Sequence, residues 1–280
     1  MKSVFGVALL AMSVSAVPAL AQTQNDESSQ PATPQTQPQQ TEPKKDTAPP
    51  HEHTGWAALG RDTARDFLAF PKRKSTYTLL AIGGAAALAT HPADHYVNAH
   101  VVGNKTADNV FTLGKWLGTS GVQMGAGAGL WALGRYVIAP AADQPQTNKF
   151  SELGFDLIRA QILSEAFVHA IKPAVGRERP NGECCSFPSG HSSSAYAAAA
   201  VLERHFGYRA SLPALAAATY VATSRLVDNR HWLSDVMFGA GLGTAAGWTV
   251  VGTHGRGTQY ALQPVPLKGG MMIALTKIEE

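Results

Sequence analysis

"CCSFPSGHSSSAYAAAAVLE", Cys184–Glu203, changes character halfway along its length. Pro188 fixes a backbone angle, Ser189 is a favoured helix N-cap, and Gly190 leaves room around the backbone. From His191 onward the alanine-rich run has the composition of a helix. A Pro-Ser-Gly turn opening a helix presents unpaired N–H groups and a hydroxyl at the positive end of the helix dipole, a natural seat for an oxyanion. An ordinary helix cap looks the same. The remainder of the chain must decide between the two.

Outward from this stretch the pattern stays helical. Segments bounded by Gly, Pro and Asn signals fall near residues 56–69, 75–90, 107–117, 121–138, 150–171, 191–206, 211–224 and 232–250. The body is therefore expected to be all-α, a helical bundle. The tail "YALQPVPLKGGMMIALTKI" sets two short apolar stretches around "LKGG" and predicts a short β-hairpin at the C-terminus. Of the 280 residues 45% are hydrophobic and 15% charged, the latter below the usual quarter or so. Alanine and glycine supply much of the apolar share, which suits close helix packing. A net charge of +3, with no single block of cations, gives no reason to expect a nucleic-acid partner.

The first residues read as an export signal. Lys2 precedes the apolar "VFGVALLAMSVSAV", and "ALA" at 19–21 is a small-residue cleavage site. An uncleaved membrane anchor is the alternative. Residues 1–21 are thus expected to be a signal peptide, 22–54 a disordered Gln/Pro/Thr-rich tether, and 55–280 the helical domain. The "HEH" at 51–53 offers too few ligands for an ordered metal site. Export implies an oxidising compartment. Cys184 and Cys185, the two cysteines of the chain, are open to three readings: a vicinal bridge, two free thiols, or an intermolecular link.

Two further clusters carry chemistry. "KPAVGRERP", Lys172–Pro180, crowds Lys172, Arg177 and Arg179 at a helix exit. Cations there would also simply complement a helix C-terminus. "SRLVDNRHWLSD", Ser224–Asp235, places His231 and Asp235 four residues apart, on one helix face and within expected hydrogen-bond reach. A surface His–Asp pair has the same spacing. Together the clusters supply Lys172, Arg179 and Arg225 as donors for phosphoryl oxygens, Ser189 and the Gly190 N–H at a helix start, and two histidines for nucleophilic and proton-transfer steps. No carboxylate cluster suggests a divalent metal site, so charge neutralisation by cationic side chains is the expectation.

The order K-x6-RP, then PSGH, then SR-x5-H-x3-D resembles that of the type 2 phosphatidic acid phosphatase and vanadium haloperoxidase superfamily, with every fixed position filled between about residues 150 and 250. The resemblance implies a helical bundle and a metal-free phosphatase without a cofactor, inhibited by vanadate. His231 would attack phosphorus to form a phosphohistidine, with Asp235 orienting it. His191 would protonate the leaving alkoxide and then activate water. Lys172, Arg179, Ser189, Gly190 and Arg225 would hold the phosphoryl oxygens. Arg177 and Glu178, between fixed positions, receive no role. The alternatives are a vanadium-dependent haloperoxidase, whose chains are much longer, and a non-catalytic phospholipid- or anion-binding protein on the same fold.

Many relatives are six-helix membrane enzymes, but here the candidate spans are short and rich in Gly and Ala, and the mean hydropathy is −0.07. Six crossings after a cleaved signal would also leave all three motifs on the cytoplasmic side. The expectation is an exported, periplasmic domain that touches a membrane peripherally, with an integral inner-membrane protein as the alternative. Its partner is a phosphorylated small molecule or lipid. The helices 75–90 and 107–138, carrying Trp116 and Trp131, are the expected pocket wall.

Overall fold

The computed structural model describes residues 54–138 and 147–252, together with the backbone of 259–267 and 270–278. The expected signal peptide, most of the tether and the "HEH" triplet lie outside the described residues. Ten α-helices follow in order: α1 (Trp56–Ala69), α2 (Lys74–Thr90), α3 (Asp94–Val101), α4 (Lys105–Phe111), α5 (Gly114–Leu117), α6 (Ser120–Ala132), α7 (Lys149–Val175), α8 (Gly190–Phe206), α9 (Tyr208–Val227) and α10 (Leu233–Val251). An antiparallel hairpin of β1 (Gln259–Leu267) and β2 (Gly270–Ile278) closes the order, with Leu267 paired to Gly270. The all-α expectation holds, and the hairpin falls where the tail pattern placed it.

Helix α10 organises the bundle. It is buried from Ser234 to Val251 except at Phe238, as expected of a helix apolar on every side. It packs on α8, α2 and α7. Glycine makes the closest approach to α8 feasible: a Cβ at Gly243 would stand 2.0 Å from the Ser193 carbonyl oxygen. Leu79, Leu163, Val168, Val201, Leu242 and Trp248 fill the main core. Arg159 braces the periphery, bonding Asp66 of α1 at 2.8 Å and Asp156 at 2.9 Å, while His205 of α8 meets the other Asp156 oxygen at 2.9 Å.

Three elements differ from the sequence reading. The span 107–117 is two short helices with a turn between them, begun by Asn104, whose side chain accepts from the Thr106 and Ala107 N–H groups. Helix α3 was not anticipated, having neither a clear apolar period nor a polar N-cap. Helix α7 runs to Val175, through Pro173, and stops at Gly176 in the left-handed conformation, whose N–H returns to the Lys172 carbonyl. Because the helix continues that far, Lys172 sits in its last turn.

Candidate active site

All three sequence clusters meet at one end of the α7–α8–α10 packing. A cavity of about 270 Å³ opens there, lined by Lys172, Arg179, Gly190, His191, Arg225 and His231 from the motifs and by Thr119, Ser120, Glu165, Val168 and His169 from α6 and α7. Ser189 and Asp235 are fully buried and do not line it. Six of the eight predicted site residues therefore face one space, and two stand behind it.

Local hydrogen bonds explain the convergence. Ser189 caps α8, its hydroxyl accepting from the Ser192 N–H at 3.4 Å. The Ser189 N–H donates to the Asp235 carbonyl at 3.1 Å, and Ser192 Oγ donates to the Val236 carbonyl at 2.8 Å. The start of α8 is thus pinned to the first turn of α10. At the end of α9 the Arg230 and His231 N–H groups both reach the Arg225 carbonyl, at 3.1 and 3.3 Å. Asn229 makes the turn with a positive φ of 56°, a conformation asparagine tolerates. Arg225 and His231 are by this turn presented side by side.

The cations are held in different ways. Lys172 Nζ donates to the Cys185 carbonyl at 2.8 Å, Arg179 Nε to the Cys184 carbonyl at 3.0 Å, and Arg225 Nη1 pairs with Asp228 at 2.7 Å. Arg225 Nε is buried without a hydrogen-bond partner in the protein. Burial, seconded by the neighbouring Arg179, brings Lys172 down to about 8. Burial also brings His191 down to about 4, helped by Arg225 and His231. His191 Nε2 lies 3.2 Å from the Lys115 carbonyl of α5. A carbonyl only accepts, so this contact places the proton on Nε2 and leaves Nδ1 basic. A Cβ at Gly118 would come within 3.0 Å of the His191 ring and 2.3 Å of Val221, so glycine there lets the α5–α6 junction close over the imidazole.

His231 is buried, and burial lowers its pKa. Its Nδ1 faces Asp235 Oδ2 at 3.6 Å, longer than a hydrogen bond, and that oxygen accepts from the Trp232 N–H at 2.8 Å. The shared helix face expected from the four-residue spacing is not formed, because α10 begins at Leu233 with Trp232 extended at its N-cap and His231 before it, and the direct hydrogen bond is not made. The other Asp235 oxygen belongs to a residue the sequence reading left without a role. Arg177 Nη1 donates to Asp235 Oδ1 and to Ser234 Oγ, both at 2.7 Å, and its Nη2 donates to Asp94 Oδ2 at 2.7 Å. Asp94, on the unanticipated α3, also accepts from the Ser234 N–H at 2.9 Å and hydroxyl at 2.6 Å. The guanidinium lies 5.5 Å from the Trp232 ring centroid. A cation between fixed positions and a lone aspartate 83 residues upstream gave no periodic signal.

The expected pocket wall needs correcting. Trp131 packs with Ala58, Phe155 and Ile158, and its indole N–H donates to the Thr54 carbonyl at 2.8 Å, so it is a core residue. Helix α2 packs against α10 and does not reach the cavity. Within 107–138 only Thr119 and Ser120, at the start of α6, line the cavity, and one face of α7 completes the non-motif wall. Leu113, Trp116, Leu117 and Val122, near Thr119 and Ser120 in the chain, are exposed. Among the described residues no three His, Cys, Asp or Glu side chains come together as metal ligands, and no helix is long and apolar enough to cross a membrane.

The helical bundle carries one cationic cavity with two imidazoles at its wall, and comparison with known proteins gives it a context. Residues 153–258 match the family model of the PAP2 superfamily. Over 89 residues, 30% of the chain, it is 39% identical to the lipid A 1-phosphatase of Porphyromonas gingivalis. Over 97 residues it is 26% identical to the lipid A 4'-phosphatase of Helicobacter pylori. The matched segments span 20% and 49% of those two relatives. The crystal structure of a transmembrane PAP2-type phosphatidylglycerolphosphate phosphatase from Bacillus subtilis is similar in fold. Its TM-score is 0.50 at 21% identity, over 69% of this chain and 96% of that one.

Proposed function

We propose that this protein hydrolyses a phosphomonoester of a lipid, without a metal, through a phosphohistidine on His231. The observation that carries the reading is the single cavity into which Lys172, Arg179, Arg225, His191 and His231 all open. In this mechanism the three cations and the Gly190 N–H take the phosphoryl oxygens, neutralising charge where it concentrates in the transition state. His231, neutral through burial, attacks phosphorus with Nε2 while Nδ1 faces Asp235. The P–O bond to the alcohol breaks, and His191 donates the proton that the alkoxide takes up. His191 is neutral in the free enzyme; the incoming phosphate monoanion offsets Arg225 and Lys172, raises the basicity of Nδ1 and passes its own proton there, and this is the proton the alkoxide receives. A water then loses its proton to His191 and attacks the phosphohistidine; the P–N bond breaks, and phosphate leaves with the proton held by His191, restoring both neutral imidazoles.

Lipid chemistry is supported by the names of the relatives and by exposed apolar residues. Leu113, Trp116, Leu117 and Val122, near the lining residues Thr119 and Ser120 in the chain, are exposed together with Lys115, a combination suited to the headgroup region of an anionic bilayer. In this reading the protein is exported and meets the membrane peripherally.

The test uses purified protein with p-nitrophenyl phosphate, phosphatidic acid and a phosphorylated glycolipid, each with EDTA. Turnover should survive EDTA and be blocked by vanadate, and His231→Ala should abolish the phosphoenzyme. Abolition by EDTA with rescue by magnesium would overturn the mechanism. Bromide oxidation by peroxide after vanadate loading would point to haloperoxidase chemistry instead. Flotation with anionic vesicles should be lost in Leu113→Ser/Trp116→Ser; retention would refute the membrane contact.

A further inference from the structure

Lys172 and Arg179 come from different elements, the last turn of α7 and the loop beyond it, yet one dipeptide holds both. Lys172 Nζ donates to the Cys185 carbonyl and Arg179 Nε to the Cys184 carbonyl. A disulfide joins the same two cysteines. In extended chain, successive peptide units alternate in direction. Here the backbone turns at Cys185 with a φ of 70°, a left-handed conformation that L-residues with a Cβ avoid. Linking adjacent side chains closes a small ring around the peptide between them, so that peptide cannot swing back to an extended form.

We propose that the Cys184–Cys185 disulfide is a positioning element for phosphoryl recognition: it aims two successive carbonyls at Lys172 and Arg179 and so fixes where those cations present their charge. The proposal rests on the phosphoryl-binding reading of the cavity. Carbonyls suit the task because they are neutral. A carboxylate in direct contact would cancel more of the charge that the substrate needs; Glu183, 3.8 Å from Arg179 Nη1, is itself taken by Arg230. Neither cysteine lines the cavity, so the pair acts through the cations and not on the substrate.

The loop has other ties that do not involve sulfur. The Ser186 N–H reaches the Arg177 carbonyl at 2.8 Å, the Arg179 N–H the Glu183 carbonyl at 2.8 Å, and Ser186 Oγ the Glu178 carbonyl at 3.2 Å. Arg230 pairs with Glu183 across the loop. Opening the disulfide should therefore disturb the aim of the cations and leave the fold in place. Reduction is balanced by a dithiol, which gives two electrons and two protons to the bridge and becomes a cyclic disulfide itself.

The experiment compares oxidised protein, protein reduced with dithiothreitol, the same sample reoxidised, and Cys184→Ser/Cys185→Ser. Inorganic phosphate affinity is read by calorimetry, which needs no turnover; KM and kcat are read with p-nitrophenyl phosphate, and the thermal midpoint alongside. Reduction and the double variant should weaken phosphate binding and raise KM at least fivefold, change kcat less, shift the midpoint by only a few degrees, and reverse on reoxidation. Two titratable thiols per chain in the untreated protein would overturn the proposal. So would an unchanged phosphate affinity after full reduction, or a weakening that merely tracks global unfolding. If the double variant does not fold, the reduction and reoxidation arms give the same reading. Oxidised protein that binds phosphate yet hydrolyses no ester would refute the phosphatase reading while the affinity arm still judges the disulfide.

Discussion

Arg177→Met removes the guanidinium that joins Asp94 to Asp235 while keeping most of the side-chain volume. Asp94 and Asp235 are 2% and 0% exposed at their side chains, and Arg177 is 23% exposed. Asp94 would keep its two bonds from Ser234, and Asp235 its bond from the Trp232 N–H. Breaking a buried pair by removing one partner costs about 3–5 kcal/mol. The partial exposure of Arg177 argues for the lower end, about 3 kcal/mol. For a chain of this size that is a fall of roughly 6–12 °C in Tm. Arg177 does not line the cavity, so its kinetic effect must pass through the carboxylate behind His231. A displacement near 1 Å at a reacting group costs on the order of 100-fold in rate. The expected signature is a large fall in kcat with KM little changed, measured well below the lowered Tm. Arg177→Lys should recover only part of it, since one ammonium cannot fork to two carboxylates. Coupling to Asp94→Asn in a double-mutant cycle should exceed about 1 kcal/mol. A variant with lowered Tm but intact kcat would show that Arg177 is a structural brace alone. A raised KM with intact kcat would place it on the substrate instead.

Lys172 is held at about 8, so its ammonium form persists below that pH and is lost above it. The profile of kcat/KM, which reports the free enzyme, should therefore fall as pH rises through about 8, and Lys172→Arg should carry the fall to higher pH; an unmoved limb would assign it to another group. Gly243→Ala drives a methyl against the Ser193 carbonyl and should destabilise by at least about 2 kcal/mol, whereas Gly125→Ala, with nothing within 4 Å, should be neutral or stabilising; equal melting curves for the two would refute the close approach of α10 to α8.

The first-layer chemistry was legible because its residues are local in sequence. A helix start after Pro-Ser-Gly and a four-residue His–Asp spacing each state a geometry within one turn, and Gly190 and His191 stand where that geometry puts them. Arg177 and Asp94 were not legible for the opposite reason. Their contacts join α3 to the loop after α7 and the start of α10, and no period or motif encodes a pair 83 residues apart. The pocket wall failed similarly: Trp131 looks equally suited to a lipid chain or to a core, and packing against Phe155 and Ile158 decides for the core. The His231–Asp235 hydrogen bond failed on helix phase, since α10 begins at Leu233 with Trp232 extended at its N-cap and the four-residue helical geometry does not reach back to His231.

Most of the negative charge around the cavity is turned away from it or already engaged. Asp235 and Asp94 lie behind the wall and are engaged by Arg177, Ser234 and Trp232, so they steady the α10 start without facing an incoming phosphate. Asp228 holds one Arg225 nitrogen and leaves Nε unmatched within the protein. Lys172 and Arg179 donate to neutral carbonyls, and the Glu183 carboxylate, 3.8 Å from Arg179, is shared with Arg230. Each arrangement orients a cation or a nucleophile at little expense to the positive field, which is the quantity that binds a phosphoryl group in a space of low dielectric. Glu165 is the exception, a carboxylate among the lining residues, and burial raises its pKa despite His169 at 3.3 Å and the nearby Lys172. The upward shift works in the same direction as the rest, because a carboxyl that takes up a proton more readily opposes an anion less.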